Sequence, residues 1–335
     1  MEYRRLGASG LEVSPICLGA MTFGDRTDAA EAQRIVDAAS DAGINFIDTA
    51  DNYANSAAEP IVGAAIRETR RRWILATKVC NVLTAKPFDG GLSRRWVLQG
   101  CDDSLRRLGT DYIDVYYLHK DDRDTPIAET VGAVGDLIRG GKIRYFGLSN
   151  FRGWRIAEVV NECAAQGVPP PVACQPYYNL LNRMPEVEIL PACDYYGLGV
   201  VPYSPVARGV LTGKYGPGGI APEGSRGARK DPRMMETEFR EESFAIAAKL
   251  QAHAAKTGRT LTQFALAWLW ANEIVTSVIA GPRTLAQWQD YVDALPTAWT
   301  AEDEALVDSL VKPGHPSTPG YNDPAYPFFG RLVDL

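Results

Sequence analysis

The chain has 335 residues, 46% hydrophobic and 23% charged, with a formal net charge of −6 at pH 7. An acidic chain is poorly suited to nucleic acid or an anionic membrane surface; no apolar stretch is long enough to cross a bilayer, and the N-terminus lacks the basic-then-apolar order of a signal peptide. Cys17, Cys80, Cys101, Cys163, Cys174 and Cys193 are scattered without a C-x-x-C pair, and His119, His253 and His315 form no short-spaced pair, so the expectation is reduced core thiols, a cytoplasmic protein and no catalytic metal.

In chain order, residues 3–13 read as two short strands around a Gly-containing turn, suited to plugging a barrel floor. Short apolar runs at 16–18, 45–47, 73–77, 112–118, 145–148, 172–175, 199–203 and 275–279 predict eight strands. Apolar residues spaced by three and four predict helices at 28–42, 57–68, 94–108, 127–139, 154–165 and 186–196, between the first seven strands. Between the last two strands lie a Gly/Pro/Arg-rich loop, about 212–240, and helices near 241–256 and 262–271. Strands alternating with helices imply a parallel sheet covered by helices, and eight of them imply an α/β fold of the (β/α)8 TIM-barrel class. The expected organisation is one domain, 1–335, with an N-terminal hairpin (1–13), a mouth loop at 212–240 read as an insertion or lid, and an extended C-terminal tail (313–335).

Four chemically active residues stand at or just past the ends of these strands: Asp48, Tyr53, Lys78 and His119. Parallel strands in one barrel would bring them to a single mouth, where barrel enzymes keep their chemistry. Each has a plain alternative: Asp48 as a turn or cap residue, Tyr53 as a loop aromatic, His119 as a satisfied structural histidine. Lys78 is harder to explain away, because a lysine ending an apolar strand must meet an anion or water. An acid, a phenol, an amine and an imidazole together make a proton-transfer site. The run 209–215 imitates a P-loop, but has three residues between its glycines and Tyr215 after Lys214; no G-x-G-x-x-G follows a first strand, which excludes a Rossmann unit.

The segments GINFIDTADNY (43–53), ATKV (76–79), SLRRLGTDYID (104–114) running into Leu118-His119, GKIRYFGLSN (141–150), QPYYNL (175–180) and YSPVARGVLTGKY (203–215) resemble the aldo-keto reductases in series. The tail, with Tyr326-Pro327 and Gly330-Arg331, resembles that of a bacterial NADPH-dependent branch. This resemblance implies NADPH-dependent reduction of a small-molecule carbonyl, with Tyr53 as general acid, Lys78 lowering its pKa, Asp48 holding Lys78, and His119 orienting the carbonyl oxygen. It also assigns NADPH/NADP+ contacts: Ser149, Asn150 and Gln175 to the nicotinamide carboxamide, Tyr203 to its ring, Ser204, Val206, Arg208 and Lys214 to the pyrophosphate path, and Gly281, Arg283, Gln287 and Asp290 to the adenosine end, where free helix-start N–H groups beside Arg283 suit a 2′-phosphate. Asp290-Tyr291 replaces a common Glu-Asn pair, and Lys120-Asp121 follows His119 where many relatives have Trp-Pro or Arg-Phe. Substrate-lining candidates are Met21, Phe23, Asn52 and Lys120, with Arg208, Phe328 and Phe329 behind them. Two other functions fit the same residues: an NADPH-holding regulatory subunit resembling potassium-channel β subunits, and a Schiff-base aldolase or isomerase using Lys78.

Overall fold

The computed structural model describes residues 1–83, 89–216 and 218–327, so Phe328, Phe329, Gly330 and Arg331 lie outside the described residues. These pack into two compact units. The first comprises Met1–Tyr177, Val187–Tyr203 and Trp270–Asp293; the second comprises Tyr178–Glu186, Ser204–Leu269 and the described residues after Asp293.

The first unit is the barrel. An antiparallel hairpin, β1 (Arg4–Arg5) with β2 (Glu12–Val13), precedes eight parallel strands. These are β3 (Ile16–Gly19), β4 (Phe46–Asp48), β5 (Ile74–Val79), β6 (Ile113–Leu118), β7 (Ile143–Ser149), β8 (Ala173–Gln175), β9 (Gly199–Val200) and β10 (Val278–Ala280). They neighbour one another in chain order from β3 to β9, with β10 beside β3. Val200 and Val275 pair in parallel, Thr276 donates its N–H to Val200 O at 2.8 Å and Ile279 to Pro202 O at 3.1 Å, which closes the curled sheet as a (β/α)8 barrel. The seventh and eighth strands are shorter than the apolar runs implied. Tyr203 is joined to Tyr177, and Val275 to Val200, by isolated bridges.

Side chains alternate across each strand, so one residue in two points inward. Cys17, Phe46, Ala76, Val115, Tyr117, Ala173, Val201 and Ile279 form the interior, joined by Leu6 and Val13 of the hairpin. Gly7 lets the hairpin seat there: its φ is +57°, and a Cβ would stand 2.5 Å from the carbonyl oxygens of Gly197 and Val172. Gly147 gives Tyr117 its space, since a Cβ there would lie 2.5 Å from the tyrosine ring.

Helices α1 (Ala29–Asp41), α2 (Ala58–Ile66), α3 (Arg94–Leu108), α4 (Ile127–Arg139), α5 (Gly153–Gln166) and α6 (Pro185–Tyr196) follow the strands, close to the spans read from periodicity. Their ends carry local signals. Asp28 and Ser93 cap α1 and α3 by accepting N–H bonds from Glu31 and Trp96, and α3 stops at Gly109 in the left-handed conformation.

The second unit holds α7 (Pro232–Thr237), α8 (Glu241–Lys256), the body of α9 (Leu261–Ala271) and α11 (Ala301–Leu310); α10 (Leu285–Val292) belongs to the barrel. The 212–240 segment is not wholly a loop: a 3-10 stretch, Ala207–Thr212, leads into it, and α7 forms where Asp231 caps a helix begun by Pro232. Periodicity also left α11 unread, although Thr300 and Asp303 make a reciprocal capping box at its start. The described part of the tail runs antiparallel to Asn182 through Pro316, and Arg183 N–H donates to His315 O. Among the described residues, no helix is long and apolar enough to cross a membrane, and all six cysteines are buried free thiols.

Candidate active site

The inward register puts Asp48 at the end of β4 and Lys78 near the end of β5, both fully inside the barrel mouth. Lys78 Nζ donates to Asp48 Oδ1 at 2.5 Å, to Thr49 O at 2.7 Å and to Tyr53 Oη at 3.1 Å. An ammonium has three N–H donors, and here all three are engaged. Because the Tyr53 oxygen accepts from Lys78, its own O–H stays available to donate elsewhere. Burial works against the charge on Lys78, but Asp48 and Tyr53 outweigh it and hold its pKa above the usual lysine value. An amine held charged in this way does not present the lone pair that imine formation requires.

The phenol departs from the sequence expectation. Lys78 does pull the Tyr53 pKa down, but burial pushes it up by more, and the net shift is upward. In this state Tyr53 is a protonated donor, with Lys78 placed to stabilise the phenolate once the proton leaves. Its turn is backed by left-handed backbone at Ala54, Asn55 and Ser56 (φ 50°, 53° and 70°), tied by Ser56 Oγ to Asp51 O at 2.6 Å.

His119 follows β6, its N–H donating to Val79 O at 2.9 Å and its ring standing edge-on to Tyr53 at 5.8 Å between centroids. Burial first, then the charges of Lys78 and Lys120, drive its pKa well below the usual histidine value, so the ring is neutral. Asn81 Nδ2 contacts His119 Nδ1 at 2.9 Å; in that orientation Nδ1 accepts and Nε2 carries the hydrogen. Asn81 went unnoticed in the sequence, where nothing in Val79-Cys80-Asn81 marks it as facing a histidine at the end of the next strand.

Ser149, Asn150, Gln175 and Tyr203 join this centre through one network. Gln175 Nε2 donates to Asp48 Oδ2 at 3.0 Å, Ser149 Oγ to Gln175 O at 2.9 Å, and Asn150 Nδ2 to His119 O at 2.8 Å and Ser149 Oγ at 3.0 Å. Tyr203 Oη donates to Asn150 Oδ1 at 2.8 Å, while its ring stacks on Tyr177 at 5.5 Å. Ser204, Val206, Arg208 and Lys214 belong to the second unit. There Ser204, Ala207, Arg208 and Gly209 take positive φ, Arg208 Nε donates to Thr237 Oγ1 at 3.0 Å, and Lys214 Nζ lies close against Gly209.

At and just before the start of α10, part of the N–H set that the sequence expectation left free is already bound. Leu285 N–H donates to Glu31 Oε1 at 2.7 Å and Arg283 N–H to Gln287 Oε1 at 2.9 Å, so nearby side chains already satisfy them. Gly281 and Arg283 follow β10, and Gln287 and Asp290 lie in α10. Of the substrate candidates, Met21 is exposed, Asn52 and Lys120 are half-buried and Phe23 is fully buried.

Behind the Tyr53 turn lies a cluster that the sequence did not reveal. Glu59 is fully buried, accepting from Thr77 Oγ1 and Arg107 Nε at 2.6 Å each. Asp51 is also fully buried, and among the described residues neither carboxyl oxygen makes a well-formed hydrogen bond. Burial first, then the charge of Glu59, pushes its pKa up to about 8. Between the usual carboxyl value and 8 the folded state binds a proton that the unfolded state does not, so this group's contribution to stability falls as pH rises across that window. Asp51→Asn is expected to flatten the decline in melting temperature between pH 5 and pH 8 and to be relatively more stable than wild type at pH 8. Parallel pH profiles for the two proteins would exclude this role.

The closed barrel, with Asp48, Lys78 and His119 at one mouth, can be set beside known proteins. Residues 15–312 match the Aldo/keto reductase family, and the chain belongs to that family. It is 38% identical over 285 residues to a probable voltage-gated potassium channel subunit beta of Oryza sativa subsp. japonica, covering 84% of this chain and 87% of that one. It is 37% identical over 322 residues to the uncharacterized oxidoreductase YrpG of Bacillus subtilis (92% and 96% covered). With the L-glyceraldehyde 3-phosphate reductase of Escherichia coli O157:H7 it shares 34% over 330 residues (94% and 93% covered).

Proposed function

We propose that this protein is an NADPH-dependent reductase of aldehydes and ketones in which Tyr53 is the proton donor. The observation that carries the reading is the Tyr53 oxygen receiving the third N–H of Lys78, which leaves the phenolic proton to be given away. A carbonyl oxygen placed between Tyr53 and His119 accepts from the phenol and from His119 Nε2–H, and both contacts strengthen as negative charge develops on that oxygen. As Tyr53 loses its proton, Lys78 stabilises the phenolate, and Asp48, held by Gln175, keeps Lys78 in place.

The residues present fit a nicotinamide. Ser149, Asn150 and Gln175 offer amide and hydroxyl groups suited to a carboxamide, beside the aromatic face of Tyr203. When bound, the reduced cofactor supplies the hydride that the carbonyl carbon takes. Lys214 and Arg208 are cations of the second unit suited to phosphate, and Arg283 after β10 suits a 2′-phosphate through its guanidinium. Six buried free thiols suit a reducing compartment, in keeping with a cytoplasmic enzyme.

The test is NADPH oxidation matched one-for-one by alcohol formation from a simple aldehyde. Stable NADPH binding without turnover across aldehydes, α-dicarbonyls and cyclic ketones would favour the regulatory-subunit reading that the channel relatives suggest. For cofactor choice, Arg283→Ala should lose NADPH affinity by on the order of tenfold or more, the worth of a charge-assisted contact, while NADH affinity hardly moves. Fluorescence titration with both cofactors measures this, and equal losses would show that Arg283 does not read the 2′-phosphate.

A further inference from the structure

We propose that Lys120 recognises an anionic group on the carbonyl substrate, so that the enzyme prefers small aldehydes bearing a carboxylate or phosphate. This inference rests on the reductase reading above and names the substrate class of that same site.

Lys120 directly follows His119 and is half-buried. Among the described residues its ammonium has no hydrogen-bonding or ion-pair partner, whereas the acids beside it in sequence are already satisfied. Asp121 accepts from Arg155 Nε at 2.8 Å and faces Arg123 at 3.9 Å. Asp122 accepts from the N–H groups of Leu92 and Asp124 and from Thr125 Oγ1. The Lys120 backbone stands at the mouth end of β6, next to the His119 whose N–H pairs with Val79 O of β5, so a half-buried ammonium here lies beside the reacting centre. A cation partly withdrawn from water without a counter-charge gains most from an anion that arrives with the substrate, because the ligand supplies the missing acceptor in a site of low dielectric. A neutral aldehyde leaves that group as it was.

The experiment measures kcat/KM with NADPH for two matched pairs, glycolaldehyde against glycolaldehyde phosphate and butanal against succinic semialdehyde, in wild type, Lys120→Met and Lys120→Arg. In wild type the anionic member of at least one pair should be favoured by about tenfold or more, and which pair responds tells phosphate from carboxylate. In Lys120→Met the ratio should collapse toward one, mainly through KM, and in Lys120→Arg most of it should return. A wild-type ratio near one in both pairs, or an undiminished ratio in Lys120→Met, overturns the proposal; the wild-type ratio decides the first point whether or not the variants fold. If no aldehyde is reduced at all, the reductase reading itself falls. If neutral aldehydes are reduced without preference for the anions, only the role of Lys120 falls.

Discussion

Tyr53→Phe is expected to reduce carbonyl turnover by roughly 10²–10⁴-fold, the contribution of a positioned general acid, with cofactor affinity nearly unchanged. The ring keeps its place beside His119, so what is lost is one proton and one acceptor. The lost acceptor matters to the fold as well, because the third N–H of Lys78 is then buried without a partner at a cost of about 1–3 kcal/mol. A lower unfolding midpoint should therefore accompany the kinetic defect. The decisive measurement pairs single-turnover hydride transfer with a cofactor titration. Near-normal reduction of a good substrate by this variant would remove Tyr53 from its assigned role, and a large loss of cofactor binding would show that its effect is structural.

Lys78→Met should have the largest combined effect. It removes the charge that stabilises the phenolate, and it leaves the fully buried Asp48 carboxylate with Gln175 as its remaining side-chain donor. Breaking a buried ion pair from one side typically costs about 3–5 kcal/mol, chiefly for the stranded charge. The Asp48 pKa is already raised, by burial acting against the pull of Lys78, and losing Lys78 raises it further. Above the usual carboxyl value the folded variant therefore holds a proton that the unfolded chain has released, and its stability falls as pH rises until Asp48 ionises. Urea unfolding should accordingly show a wider gap from wild type at pH 8 than at pH 5.5. Adding Asp48→Asn to Lys78→Met removes the stranded charge and should recover much of the stability while recovering none of the activity. A double variant no more stable than Lys78→Met alone would show that the ion pair is not what couples the two residues.

Much of the barrel was legible because its rules are local and periodic. Apolar runs ending in polar turns, and apolar residues three and four apart, place β3 through β8 and α1 through α6 within a few residues of where they stand. Shortfalls came where the signal was short or one-sided. The strand expected through Tyr203 narrows to Gly199–Val200 because the chain beyond it pairs only at isolated positions. Helix α7 spans six residues, too few for a periodic pattern to emerge, and its cap and proline were the only marks of it.

The sequence alone determined the inward register that sends Asp48, Lys78 and His119 to one end of parallel strands, since a period of two and a common strand direction leave them nowhere else to go. Only the tertiary structure decided what these groups do to one another. Whether Lys78 lowers the Tyr53 pKa depends on how much water the site excludes, and burial is not encoded in spacing; here it outweighs the cation. The same holds for Asn81 against His119 and for the Leu285 N–H of α10 taken up by Glu31. Each is a contact between residues distant in sequence or turned by a loop, and no local pattern specifies such a contact until the chain has closed.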